Sequence, residues 1–218
     1  LYYLFVYLIE AIILWLYCNR IFTSRKNTFL SLLITIGMFS LLIPVAILTN
    51  AALNAFCSFI VYLCCIVLNY DSKPVWALFH ALALTILMAL SEGLIAAAIP
   101  DITIYAFRDG NIHSSAFTFV ILSKSVYLCI SQLVTRIFSK DTVNNASIRK
   151  STLMLYLIPV MSSIITVSLG YICLNGKLSG SDSVIVFICL VLLLSINILT
   201  FYLQQDISQK NVEYARLQ

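Results

Sequence analysis

The feature that most constrains this chain is the length of its apolar runs. Such runs occupy roughly residues 1–18, 29–48, 51–69, 75–99, 115–138, 152–174 and 184–204. A helix rises 1.5 Å per residue, so about 20 residues cross the roughly 30 Å hydrocarbon core of a bilayer. No water reaches that core, and backbone N–H and C=O groups there must bond to each other, which only helices and closed barrels achieve. Barrel strands would alternate apolar and polar residues over segments of about 10 residues, and these runs do not alternate. The expected fold is all-α: a polytopic transmembrane helical bundle of about seven spans, continuing into a cytoplasmic coiled-coil-like helix. Composition agrees. The chain is 61% apolar and 10% charged, against about 45–50% and about 25% in soluble domains.

The connections between runs are short: CNRIFTSRKN, TN, YDSKP, PDITIYAFRDGNIHS, SKDTVNNASIRKS and NGKLSGSDS. Residues 1–204 therefore read as one transmembrane domain, and 205–218 as the start of a signalling helix that carries on past Gln218. The sequence begins with Leu1 and lacks a basic leader and a small-residue cleavage site, so the first run reads as a span and not a signal peptide. Basic residues test the orientation. With seven spans and a cytoplasmic C-terminus, the inner side holds Arg20, Arg25, Lys26, Lys73, Arg136, Lys140, Arg149, Lys150, Lys210 and Arg216. The outer side holds Arg108 and Lys177. That imbalance is what orients membrane proteins, and it implies a multi-pass protein of the cell membrane with its N-terminus outside and C-terminus inside. The scattered basic residues do not suggest nucleic acid as a partner; the lipid bilayer is the expected one.

Three charges fall inside spans: Glu10, Glu92 and Lys124. Each ion costs about 2.5–3.5 kcal/mol at a helix centre, so pairing, hydration or neutralisation is expected. Glu92 and Lys124 lie on consecutive antiparallel spans, about 10 Å and 13 Å from the outer ends at 1.5 Å per residue. They are expected to pair, with Glu10 at a similar level, as a structural ion pair, the polar floor of a ligand vestibule, or part of an ion pathway. Gly93 and Ala97 make a small-xxx-small spacing that would let those two spans approach closely.

Pro44 and Pro159 each remove a backbone donor and predict local bends. His80 reads as a hydrogen-bonded packing residue, and Trp15 and Trp76 as members of an interfacial aromatic belt. Seven cysteines lie within or beside apolar runs and read as small apolar packing residues. No HExxH, GxSxG, Walker or GxGxxG motif is present, so no catalytic residue is assigned here. A membrane protease would need a nucleophile–base pair, for which His80 with Cys57 or Cys129 is the only combination worth testing. On the outer side, Asp101, Arg108, Asp109, Lys177 and Asp182 are the candidates for contact with an extracellular ligand. No metal site or cofactor is expected in this chain.

After the last span, QQDISQKNVEYARLQ continues without glycine or proline. Leu203, Ile207, Tyr214 and Leu217 follow the 4-7-3 spacing of a heptad seam, with Lys210 at the intervening position, as in a parallel coiled coil. A block of spans with very short outer loops leading into such a helix resembles the sensor half of the peptide-sensing histidine kinases of Gram-positive bacteria, the AgrC-like sensors with a GHKL-type ATPase domain. The resemblance implies a two-component, quorum-sensing type of module. Its partners would be a homodimeric twin, an extracellular small peptide and a response regulator. ATP and magnesium would belong to a kinase domain downstream of Gln218. The alternative reading is a transporter or permease subunit with Glu92 and Lys124 on the substrate route.

Overall fold

The computed structural model describes residues 2–47, 51–100, 114–138, 157–175 and 180–216. Its helices are α1 (Tyr2–Ile21), α2 (Thr28–Ser40), α3 (Ile43–Ile47), α4 (Ala51–Asn69), α5 (Pro74–Ala98), α6 (Ser114–Ile137), α7 (Leu157–Asn175) and α8 (Gly180–Arg216). The protein is an all-α helical bundle. Five stretches, Tyr2–Ile21, Thr28–Ile47, Pro74–Ala98, Ser115–Ile137 and Ser181–Lys210, are long and apolar enough to cross a membrane, and Leu53–Asn69 and Leu157–Thr166 are shorter apolar helices.

The surface of the bundle is apolar. Phe29, Leu33, Leu41, Phe56, Ile121, Leu133, Ile164, Ile188, Leu192 and Leu199 are all exposed. A water-soluble monomer rarely shows a contiguous apolar area beyond a few hundred Å², whereas lipid solvates such a surface. The interior conversely holds polar groups: Ser31, Thr35, Ser91, Ser123, Ser131 and Thr200 are buried. Most close their hydroxyls onto the carbonyl of their own helix one turn back, as Thr35 does to Ser31 at 2.8 Å and Thr85 to Ala81 at 2.9 Å, which satisfies them without a second helix.

Helix α5 is the axis of the molecule: 17 of its 25 residues are buried. It packs against α4, α6, α7 and α8, while α1 packs on α2 and α6. Its alanines and Gly93 keep the helix thin enough for neighbours to crowd it on several sides, the packing that substitutes for a hydrophobic drive in lipid.

The proline expectation is met in one place and displaced in the other. Pro44 has no N–H for the Ser40 carbonyl, and its ring would strike that carbonyl. Accordingly α2 ends at Ser40 and α3 resumes at Ile43, with the tightened bonds Leu41 N to Met38 O (3.3 Å) and Leu42 N to Phe39 O (3.0 Å) between them. Pro159 instead lies in the first described turn of α7, where a missing donor does no harm.

One feature was not anticipated. Two short strands, β1 (Thr23–Ser24) after α1 and β2 (Tyr70–Asp71) after α4, pair antiparallel. They join the turn before α2 to the turn before α5. Arg25 adds a backbone bond to Asn69 O (2.9 Å) and an exposed ion pair with Asp71 (3.2 Å). The Tyr70 hydroxyl beneath donates to Asn19 Oδ1 at 3.1 Å and accepts from Ser31 at 3.3 Å. Tyr70 is buried, and that burial pushes its phenol well above its usual range.

Candidate functional site

Helices α1, α5 and α6 each carry one ionisable side chain to the same point. The Lys124 ammonium donates to Glu10 Oε1 and to Glu92 Oε1, the latter at 2.5 Å. Local sequence explains the placement. On α6, Val120, Ser123, Lys124, Tyr127, Ser131 and Val134 share the buried stripe; on α1, Tyr7, Glu10, Ala11, Leu14 and Tyr17 do. Both stripes follow the three-and-four spacing of a helix face. Lys124 and Glu10 are thus carried inward by their apolar neighbours, leaving them 2% and 3% exposed, while the Glu92 side chain remains 40% exposed. The expected Glu92–Lys124 pair is therefore a triad, with Glu10 as the more deeply buried partner.

Tyrosines surround it. Tyr2, Tyr7, Tyr62 and Tyr127 lie close enough to act electrostatically on, or be acted on by, its charges. The Tyr7 hydroxyl donates to Asn54 Oδ1 at 2.8 Å, and the Tyr62 hydroxyl donates to Met88 Sδ at 3.2 Å. Toward the Ala98 end of α5, Tyr2 and Phe5 meet Phe117 edge-on and tilted, at 5.4 and 6.0 Å. The sequence reading missed these tyrosines, although a phenol in mid-span is itself a signal: its hydroxyl needs a polar neighbour when buried.

Near the Pro74 end lies a second centre, an aromatic box around His80. The imidazole is fully buried and bonds through Nδ1 to the Tyr17 hydroxyl at 2.8 Å. Trp76 stacks on it at 5.8 Å, and Phe22 and Phe138 meet it edge-on at 5.1 and 4.8 Å. Phe201 of α8 enters against Phe79 at 5.6 Å. His80 is thus a hydrogen-bonded packing residue. Trp76 is not a belt residue: it is completely buried, its ring packed against those of Phe79, His80 and Phe138. Trp15 donates to Thr28 O at 3.3 Å from a half-buried position. Cys129 is exposed whereas His80 is fully buried. Among the described residues no group of His, Cys, Asp or Glu could hold a metal ion.

The small residues of α5 serve a different neighbour from the expected one. A Cβ on Gly93 would lie 3.2 Å from Leu190 Cδ1, and Ala97 clusters with Val186 and Leu190. Gly93 and Ala97 therefore receive α8, not α6. Successive residues are 100° apart on a helix, so Glu92 can turn to α6 while Gly93 turns to α8.

Of the signalling-helix residues, Leu203 is exposed, Ile207 is half-buried, and Lys210 is exposed and paired within the helix to Asp206 at 2.8 Å. The bundle-facing side is instead formed by Phe201, Gln204, Gln205 and Ser208. At 100° per residue the Leu203–Ile207–Lys210 line lies about 180–240° around the helix from Phe201, on the far side from the bundle. Leu217 lies outside the described residues, as do Asp101, Arg108, Asp109 and Lys177. Asp182 is exposed in the first turn of α8. No family model, curated protein or solved structure matches the chain.

Proposed function

We propose that this bundle is the membrane sensor module of a two-component histidine kinase, detecting a small extracellular signal, a peptide, and passing a conformational change through α8 to a kinase domain. The supporting observation is α8 itself: one helix from Gly180 to Arg216, 37 residues long. At 1.5 Å per residue that is about 55 Å, against about 30 Å of hydrocarbon. A rod that packs in the bundle at one end and outlasts the bilayer at the other can carry a small displacement across it. The line running from Leu203 through Ile207 and Lys210 points away from its own bundle, where the α8 of a twin would lie in a homodimer. Apart from Lys124 in the triad, the described basic residues Arg20, Arg25, Lys26, Lys73, Arg136, Lys210 and Arg216 belong to the Pro74 end or to the far part of α8, which supports a cytoplasmic place for that end under the positive-inside rule. ATP and magnesium would act in the kinase domain, and a response regulator would receive the phosphoryl group.

Ligand binding can shift α8 only by favouring one arrangement over another, and a few kcal/mol of difference suffices. Four glycines inserted between Leu203 and Ile207 in the intact receptor should abolish ligand-dependent autophosphorylation while leaving ligand binding unchanged. Undiminished signalling would sink the proposal, as would protease mapping on whole cells that found Gln218 facing the medium. The membrane-buried triad also fits a transporter with its substrate route past Glu92. Solute flux in proteoliposomes, lost in Glu92→Gln, would favour that reading over the sensor.

A further inference from the structure

The triad is short of one positive charge. Glu10 and Glu92 bring two carboxylates and Lys124 one ammonium, a formal balance of −1; among the described residues the other polar groups around it are the phenols of Tyr2, Tyr7, Tyr62 and Tyr127 and the Asn54 amide bonded to Tyr7. Ionised groups are tolerated at such depth when paired or hydrated, and an uncompensated one is driven to neutralise. A second observation is independent of the count. Glu10 Oε2 has no hydrogen-bond partner among the described residues although Glu10 is 3% exposed. Its sister oxygen accepts from Lys124, so Oε2 stands at the triad and not elsewhere. Buried polar atoms are nearly always satisfied, and an orphan marks a missing partner.

The surroundings define what that partner is. Around the triad stand Tyr2 and Tyr7 of α1, Tyr62 of α4, Glu92 of α5 and Tyr127 of α6. Among the described residues no second cationic side chain acts on Glu10 beside Lys124. Phenol oxygens, a carboxylate oxygen and the Asn54 carbonyl oxygen are hard donors, suited to a proton or a small monovalent cation. The 40% exposure of Glu92 supplies the way in. An ionised carboxylate facing hydrocarbon would be penalised, so the opening beside it is a wet one, near the end of the bundle where α5 finishes at Ala98.

We propose that the Glu10–Lys124–Glu92 centre binds one unit of positive charge, a proton or a small monovalent cation, at Glu10 Oε2, entering past Glu92. This holds whether the bundle senses or transports. The two sources share a chemistry and separate in one experiment. The full chain, in phosphatidylcholine nanodiscs, is unfolded thermally in sodium, potassium, lithium or N-methylglucamine chloride at equal ionic strength. In parallel, infrared spectra of ¹³C-glutamate-labelled protein follow the protonated-carboxyl band across a pH series.

A bound cation raises Tm saturably over N-methylglucamine. At about tenfold above Kd the folded-to-unfolded ratio gains about elevenfold, and Glu10→Gln removes the gain. A bound proton leaves Tm indifferent to the cation but shows a protonated glutamate at neutral pH that disappears in Glu10→Gln. Should Glu10→Gln fail to fold, the wild-type cation series and spectra decide alone, with the less buried Glu92→Gln as second variant. Indifference to every cation, together with fully ionised glutamates at neutral pH, overturns the proposal.

Discussion

Two ion pairs in this molecule look alike on a contact map and differ in consequence. Arg25 and Asp71 are 51% and 76% exposed, so water and salt screen them, and such pairs contribute about 0–1 kcal/mol. Lys124 and Glu10 are nearly sealed. Removing one member of a buried pair leaves the other charged and unpaired, at about 3–5 kcal/mol. Chemical unfolding in mild detergent should therefore show Asp71→Asn within about 1 kcal/mol of wild type, and Lys124→Met lower by about 3–5 kcal/mol. Adding Glu10→Gln to Lys124→Met should recover part of that loss, because the stranded charge goes with it. Equal effects at the two sites would mean that the triad is hydrated far more than its burial indicates.

Among the elements, α2 and α3 owe their separation to one residue. Pro44 cannot donate to Ser40, so the helix stops there and restarts. In Pro44→Ala the new amide should bond the Ser40 carbonyl and exchange slowly in hydrogen-exchange measurements. Fast exchange at residue 44 would show that packing, not proline, sets the break. Contact between α5 and α8 rests on the bare backbone of Gly93 against Leu190. Gly93→Leu overfills that seam, and overpacking typically costs about 1–3 kcal/mol. Adding Leu190→Ala should restore part of the loss in the same unfolding assay. Additive losses would place the clash elsewhere.

The whole molecule is organised around α5, with the charge triad toward its Ala98 end and the aromatic box toward its Pro74 end. Glu92 and His80 are 12 residues apart, about 18 Å along the axis. Helix α8 is tied to the box by Phe201, which is completely buried. Phe201→Ala should lower stability by about 3–5 kcal/mol, as for other buried aromatics. It should also speed labelling of a cysteine introduced at Gln204, by freeing that stretch of α8 from the bundle. Unchanged labelling would locate the anchor of α8 in the Gly93–Leu190 seam.

Much of this fold is legible in the sequence because position along a membrane helix is nearly arithmetic: 1.5 Å per residue puts Glu10, Glu92 and Lys124 at comparable levels before any packing is known. The apolar runs likewise declare the helices, because lipid leaves the backbone few other conformations. Rotation about each axis is different. In water an apolar stripe announces which face turns inward, but in lipid both faces can be apolar and the stripe is blurred. Only the packed structure decides that Gly93 faces α8 while Glu92 faces α6, that Trp76 is sealed in a box, that Glu10 completes the triad, and that the Leu203–Ile207 line points away from its own bundle. Those choices are made by close fit among side chains from distant parts of the chain, which no single run of sequence records.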